Sequence, residues 1–150
     1  MKKKTVAQFI DYGFGFPVRL LNVPMIFVHG VWTPHVNYNH LAKEVLRLIC
    51  IKEARLTGDE VAFIRSFFDM TLQQFAARFA VTHPGVLKWE KSENRPTGMS
   101  WAIEKDIRLF AMSKLSRNSK DLRDLYNYLE VVIRESSKTS FEVDARKLAA

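Results

Sequence analysis

Cysteine is almost missing from this chain, which has one, Cys50, in 150 residues. A single cysteine excludes an internal disulfide and suits a reducing compartment. Because apolar residues flank Cys50, we interpret it as a small buried hydrophobe. There is no CxxC pair, and the spacing of His29, His35, His40 and Cys50 matches no common zinc pattern. We therefore expect no metal ion and no cofactor.

The motifs of the common enzyme classes are also missing. The chain contains no GxSxG, HExxH, P-loop or paired-carboxylate motif, which favours a protein that is not an enzyme. No apolar run approaches the length needed to span a bilayer. The basic start of the chain is not followed by an apolar core, because Gln8, Asp11 and Arg19 interrupt it. We expect no membrane partner, and a location in the cytoplasm of a prokaryote or of a phage-infected cell.

Positive charge is in excess, and it is unevenly distributed. The net charge is +7, and 47% of the residues are hydrophobic, so the composition is that of a globular protein with an anionic partner. Residues 1–56 contain eight Lys or Arg and three Asp or Glu, whereas residues 57–99 contain five of each. Part of the N-terminal excess is the Lys2-Lys3-Lys4 run, which we interpret as a flexible, solvated tail.

The most informative stretch is residues 57–98, which predict three short helices joined by tight turns. Thr57 with Glu60, and Thr71 with Gln74, have the spacing of capping boxes. Thr82 is a typical N-cap residue for the third helix. Apolar residues recur at helical spacing, namely Val61, Ile64 and Phe68, then Phe75, Ala76 and Phe79, then Val86 and Trp89.

This stretch resembles the lambda-repressor-like (Cro/XRE-type) helix-turn-helix family. The resemblance covers about 40 residues without a gap. The matching residues are Val61, Ile64, Arg65, Phe68, Met70, Thr71, Phe75, Ala76, Val81, Val86, Trp89, Glu90, Arg95 and Pro96. It implies that the third helix enters the major groove of DNA, and that Arg65 and Glu90 form an internal ion pair.

The resemblance also implies which residues contact DNA. The predicted contacts are Thr71, Gln73, Thr82, His83, Pro84, Gly85, Lys88, Lys91 and Arg95. Two positions depart from the family pattern. Leu72 stands where the family usually has glutamine, and Pro84-Gly85 offer no side-chain hydrogen bonds, so direct readout depends on Thr82, His83 and Lys88. The alternatives are that the three helices are only a scaffold and that His83 is a solvated surface residue.

Together with the central stretch, the flanking segments predict a mainly α fold class. We expect a five-helix lambda-repressor-like domain at residues 56–118, preceded by a small N-terminal module at 1–55 and followed by a C-terminal helix and tail at 119–150. In the N-terminal module, residues 14–24 and 25–28 predict a β-hairpin. Residues 37–51 predict a helix, with Asn37 or Asn39 as its N-cap.

This layout is similar to that of the antitoxin and regulator family that includes MqsA and the YgiT-like proteins. The resembling residues are Tyr12, Gly15, Val18, Leu20 and Asn22, with Leu56-Thr57-Gly58 opening the second module. Many members of that family bind structural zinc through two CxxC pairs. Because this chain has none, the resemblance implies no zinc site here.

Two features follow Gly98. An apolar stripe, formed by Leu122, Leu125, Tyr126, Leu129, Val132 and Ile133, lies on one face of a predicted helix. This stripe either completes the core or forms the seam of a homodimer. We favour the dimer seam, because relatives of the helix-turn-helix family bind two half-sites about one DNA turn apart. Residues 141–143 have the pattern of a short strand.

The sequence therefore predicts a DNA-binding transcription regulator, a repressor that acts as a homodimer on a palindromic operator in double-stranded DNA. The alternative is an antitoxin-like or adaptor protein whose main partner is a protein toxin, with autoregulatory DNA binding.

Overall fold

The chain forms two compact units. A computed structural model describes residues 1–116, 118–130 and 140–148. The sheet unit comprises Met1–Val45 and Ser140–Ala150, and the helical unit comprises Leu46–Thr139. These bounds differ from the predicted segments 1–55, 56–118 and 119–150, because the C-terminal residues pair with the N-terminal sheet.

Four strands and six α-helices lie within the described residues. In chain order they are β1 (Lys3–Asp11), β2 (Val18–Val28), β3 (Val31–Pro34), α1 (Tyr38–Ile51), α2 (Gly58–Phe67), α3 (Leu72–Arg78), α4 (His83–Glu90), α5 (Trp101–Leu115), α6 (Ser119–Leu129) and β4 (Phe141–Asp144). A short 3-10 turn follows at Ala145–Lys147.

The predicted mainly α fold with a small hairpin is wrong. Of the described residues, 49% are helix and 23% are strand, and the four-stranded sheet makes this an α/β protein rather than a five-helix domain with small additions. β1 pairs antiparallel with β2 along nearly its whole length, from Lys3 opposite Ile26 to Asp11 opposite Val18. β3 pairs antiparallel with the second half of β2, and β4 pairs parallel with its first half. The predicted short strand at 141–143 is confirmed as part of β4.

Two local sequence signals explain why the sheet is not predicted. Proline usually ends a strand or confines it to an edge, so the sequence pattern divides β2 at Pro24. The strand instead continues through Pro24, which lies opposite Thr5, and the Pro24 carbonyl accepts a hydrogen bond from the N–H of His35 at 2.8 Å. Lys3 and Lys4, which we interpreted as tail, are the first residues of β1 and pair with Ile26 and Met25.

The core of the sheet unit is apolar. Its buried residues include Val18, Leu20, Val23 and Met25 of β2, Leu41 and Val45 of α1, and Phe141 and Val143 of β4. Burial alternates along β2 except at Asn22, whose left-handed backbone (φ 53°) changes the phase between Leu20 and Val23. Asp144, at the end of β4, accepts hydrogen bonds from Arg146 and Asn22, which lower the pKa of Asp144 to about 2.

The helical unit has a core of aliphatic and aromatic side chains. Phe68, after α2, and Phe79, after α3, both contact Phe110 of α5, with ring centroids 5.1 and 5.5 Å apart. On α6, Leu125 and Leu129 are buried, so this part of the predicted stripe completes the core of the unit. Val132 and Ile133 lie outside the described residues. No helix in the described part of the chain is long and apolar enough to cross a membrane.

A buried ion network supports the segment that leads into α2. Arg108 of α5 is fully buried and donates to the carbonyl oxygens of Cys50, Lys52 and Ala54. Its guanidinium also donates to Glu104, one turn earlier on α5. These bonds satisfy carbonyl groups that the end of α1 and the following loop leave without helical partners.

Candidate nucleic-acid interface

Capping side chains determine where α2, α3 and α4 begin. Thr57 and Glu60 form a complete capping box at α2, and Thr71 and Gln74 form one at α3, as the sequence predicts. The Thr82 hydroxyl accepts from the N–H of Gly85 at 3.1 Å and caps α4. A hydroxyl that accepts a capping bond keeps its own proton to donate, so Thr71 and Thr82 can each still donate one hydrogen bond.

The turn between α3 and α4 is closed by backbone contacts. Ala80 has a left-handed backbone with φ 56°, and the N–H of Val81 donates to the carbonyl of Ala76 at 2.9 Å. Alanine at positive φ is uncommon and persists when the surrounding structure holds it. The tight turn allows α4 to start at His83, four residues after Phe79, the C-cap of α3.

Two anchors hold α4 inward. Val86 is fully buried and Trp89 is 8% exposed, so these residues form the inner side of the helix. Trp89 is thus a core residue, in agreement with its predicted position on the inward face. Thr82, His83, Pro84 and Lys88 are all exposed, and Gly85 is partly exposed. The structure therefore brings most of the predicted third-helix contacts to one exposed surface.

An ion pair attaches the end of α4 to α2. Arg65 donates from Nε to Glu90 Oε2 at 2.7 Å and from Nη2 to Glu90 Oε1 at 2.9 Å, and its Nη1 donates to the carbonyl of Met70 at 3.1 Å. The structure thus brings together the two residues that the sequence analysis pairs. The hydrogen bonds to Glu90 raise the pKa of Arg65, so the guanidinium stays charged. A bidentate pair of this kind defines the orientation as well as the distance of two helices.

Close backbone contact fixes the other end of α2 to the same region. A Cβ atom at Gly58 would overlap the carbonyl oxygens of Trp89 and Glu90, so only glycine permits this approach. The N–H of Asp59 donates to the carbonyl of Glu93 at 2.9 Å, and the N–H of Gly58 donates to that of Arg95. Both ends of α2 therefore contact the C-terminal part of α4 and the loop after it, while the first turn of α4 stays exposed.

The structure also shows which charged side chains of residues 57–99 form ion pairs. Of the five acidic residues in that stretch, Glu90 pairs with Arg65, and Glu60 pairs with Lys52 at 2.6 Å in a buried contact. Lys88, Lys91 and Arg95 are exposed on α4 and just after it. The Arg65–Glu90 pair removes one charge of each sign from the stretch, and the Lys52–Glu60 pair removes one further negative charge, so four basic and three acidic side chains of residues 57–99 remain outside these two pairs.

The remaining predicted contacts have different surroundings. Thr71 and Gln73 are exposed at the start of α3, and Leu72 between them is half-buried. Gln74 reaches back to the N–H of Thr71 at 2.8 Å, so its side chain belongs to the cap. Gln73 is therefore the amide side chain at the start of α3 that is not used in the capping box.

Sequence reasoning missed the charged side chains that support this helix pair. Lys52 and Glu60 are 6% and 4% exposed, and Glu104 and Arg108 are fully buried. The spacing of Glu104 and Arg108 is that of a helical i, i+4 pair, which was visible in the sequence. Such pairs usually lie on solvated helix faces, so spacing alone does not predict burial.

No metal site emerges from the described residues, among which no group of three or more His, Cys, Asp or Glu side chains could hold an ion. Cys50 is fully buried, and burial raises the pKa of its thiol to about 12. Its thiol is therefore protonated at neutral pH. Comparisons of the chain with protein-family models, with curated proteins and with solved structures find no match.

Proposed function

We propose that this chain is a DNA-binding transcription regulator that inserts α4 into the major groove of double-stranded DNA. It acts as a homodimeric repressor on a palindromic operator, in the cytoplasm of a prokaryote or of a phage-infected cell. The observation that supports this function best is the arrangement of α4, which is anchored at its C-terminal end and presents exposed donors at its N-terminal end.

The size and chemistry of α4 suit this role. Its eight residues make a helix about 12 Å long at 1.5 Å per residue, comparable with the width of the major groove. Lys88 can donate to guanine O6 or N7 or to a phosphate, and His83 can donate to guanine. Because Arg65 and Glu90 hold the helix from the other end, these donors are presented on a rigid element, which lowers the entropy cost of binding.

The small number of base-reading side chains on α4 argues for a symmetric dimer. Thr82 and His83 at the start of α4 and Lys88 in its last turn supply the exposed side-chain donors, which is a small number for one high-affinity site. Two copies on a palindrome double these contacts, with half-sites about 34 Å apart along one face of the duplex.

The test is a selection of bound duplexes from random DNA with the full chain, followed by gel-shift titrations on the selected sequence. We expect a palindrome with half-sites separated by one or more helical turns. We expect His83→Ala and Lys88→Ala each to weaken binding by about 5- to 150-fold, the cost of losing one good base contact. The matched control is Lys120→Ala, which removes an exposed lysine of α6 and should leave affinity within about twofold.

Salt dependence separates the two roles that Lys88 could have. If Lys88 contacts a phosphate, Lys88→Ala should reduce the slope of log affinity against log salt by about 0.9, whereas a base contact should leave the slope nearly unchanged. Failure to enrich any sequence, or wild-type affinity in both His83→Ala and Lys88→Ala, would contradict the proposed function.

A further inference from the structure

A basic and aromatic patch lies at one end of the sheet unit, apart from any residue used in the proposed function. We define this patch by Lys2 and Lys4 before and in β1, Phe27 in β2 and Trp32 in β3. We propose that this patch and the cavity beside it bind single-stranded nucleic acid, with phosphates at the lysines and bases against the two aromatic rings. The proposal depends on the sheet unit alone and goes beyond duplex recognition by α4.

Strand register places the four side chains together. Phe27 and Trp32 are directly paired between β2 and β3, and their ring centroids are 5.3 Å apart. The Lys4 ammonium lies 4.2 Å from the centroid of Trp32, and the Lys2 ammonium lies 5.7 Å from that of Phe27. Phe27 remains 38% exposed although it belongs to the central strand. A large aromatic side chain that stays accessible on a paired strand is available to a ligand.

A cavity adjoins this patch. Its volume is about 360 Å³, which falls within the range of small-ligand pockets. It is lined by Lys3, Lys4, Thr5, Pro24, Met25, Ile26 and His35. The lysine, threonine and histidine residues of this lining carry hydrogen-bond donors, and none of the lining side chains is acidic.

The residues that form the patch and line the cavity include no acidic side chain. Asp11 is the only acidic residue between positions 1 and 43, and it pairs in register with Val18, at the other end of β1 from the lysines. A positively charged groove next to aromatic side chains is the combination that binds single strands, because every base has a face that can stack. Bases inside a duplex are already stacked on one another, so the aromatic rings favour an unpaired strand.

The position of the rings argues against a membrane surface as the partner. A membrane-anchoring loop inserts its largest apolar side chains from its tip, but the turn between β2 and β3 is His29-Gly30. The aromatic rings lie behind that turn, on paired strands, where a flexible strand can reach them more easily than a flat bilayer.

The experiment is a fluorescence anisotropy titration of the full chain with a labelled 12-nucleotide oligothymidine, at several salt concentrations. Three lysines that contact phosphates should give a slope of log affinity against log salt of about −2, at about 0.7 per contact on a single strand. We expect Lys4→Glu and Lys3→Glu each to weaken binding at least tenfold. Phe27→Leu keeps the apolar contact but removes the ring, and we expect it to weaken binding at least fivefold.

Lys43→Glu is the matched control, because it changes the net charge equally at an exposed position of α1 outside the patch and the cavity. It should weaken binding less than threefold. His83→Ala and Lys88→Ala should bind the oligothymidine like the wild type, which separates this proposal from duplex recognition. Far-ultraviolet circular dichroism and the thermal midpoint verify that each variant is folded.

Three outcomes would overturn the proposal. One is that the wild-type chain does not bind the oligothymidine. Another is that Lys43→Glu weakens binding as much as Lys4→Glu while Phe27→Leu has no effect, because the binding would then reflect net charge alone. The third is that Lys4→Glu and Phe27→Leu weaken binding of the chain to vesicles of phosphatidylcholine and phosphatidylserine but not to the oligothymidine. That result would assign the patch to a membrane surface.

Discussion

The sheet unit and the helical unit are stabilised by different kinds of buried residue. Four charged side chains are buried in the described part of the chain, and all four belong to the helical unit, namely Lys52, Glu60, Glu104 and Arg108. The buried residues described for the sheet unit are apolar. Each unit has an apolar core, so the difference lies in how the backbone polar groups inside are satisfied.

Strand pairing and helix termini make different demands on side chains. In a sheet, neighbouring strands supply the partners for each other's N–H and C=O groups, and so β2 can be buried without charged side chains. Each helix leaves up to four N–H groups unsatisfied at its N-terminal end and up to four C=O groups at its C-terminal end. The helical unit meets that demand with capping side chains at the starts of α2, α3 and α4 and with the Arg108 guanidinium at the end of α1. A protein built of short helices therefore needs more polar side chains inside.

The largest loss of stability is expected from a substitution in the helical unit. Arg108→Ala removes the donor for three carbonyl groups and leaves Glu104 with Arg55 as its remaining charged partner. Loss of one member of a buried ionic network costs about 3–5 kcal/mol, a large part of the stability of a small domain. Urea unfolding followed by circular dichroism measures the change.

Arg123→Ala is the control for Arg108, because Arg123 is exposed on α6. It should change the free energy of unfolding by less than about 0.5 kcal/mol. If Arg108→Ala had an equally small effect, the buried network would not be a principal source of stability in the helical unit.

A smaller effect is expected in the sheet unit from Val143→Ala. Val143 of β4 is 5% exposed and pairs with Leu20, which lies more than 120 residues earlier in the chain. Removal of its buried methyl groups should cost about 2 kcal/mol from lost apolar burial and the remaining cavity. Trp32 is the only tryptophan of the sheet unit. Urea unfolding is followed by tryptophan fluorescence in chains with Trp32 and in the same chains carrying Trp32→Phe. The difference between the two signals reports unfolding of the sheet unit.

Glu142→Gln provides the comparison for Val143. Glu142 lies on the exposed side of β4 and pairs with Arg19, and an exposed pair contributes little to stability. We expect a change below about 1 kcal/mol. Equal effects of Val143→Ala and Glu142→Gln would show that β4 contributes to the sheet by backbone pairing rather than by apolar burial.

Apart from the control variants, the smallest effect is expected at the cap of α3, where it tests a local interaction of the helical unit. Thr71→Ala removes the side chain that accepts from the N–H of Gln74 and should cost about 1 kcal/mol in chemical unfolding. Thr71→Ser keeps the hydroxyl and should be close to wild type. A loss in Thr71→Ser as large as in Thr71→Ala would mean that the methyl group, not the cap, stabilises the start of α3.

The predictions that succeeded depend on residues within one helical turn of each other. The capping boxes at Thr57 and Thr71 are formed, and α1 begins at Tyr38 after Asn37, whose side chain accepts from the N–H of His40 at 3.1 Å. These interactions span three residues, so the sequence pattern contains both partners. The exposed surface of α4 follows for the same reason, because Val86 and Trp89 mark the opposite face.

The predictions that failed depend on partners far along the chain. β1 is a polar strand with three lysines before and within it, and its own composition does not favour a sheet; its pairing with β2 decides its structure. The second half of β2 follows Pro24, a residue that usually signals the end of a strand. Local signals without the pairing partner therefore predict a mainly α fold.

Local chemistry thus decided the positions of the helix starts, the tight turn before α4 and the inward and outward faces of that helix. Tertiary structure alone decided that β4 joins the sheet of β1, β2 and β3, that Arg108 is buried against carbonyl groups, and that Lys4 lies over Trp32. The physical reason is the range of the interactions. A cap or an amphipathic face is formed within a few residues, whereas strand pairing and burial of a charge depend on which distant segments the folded chain brings together.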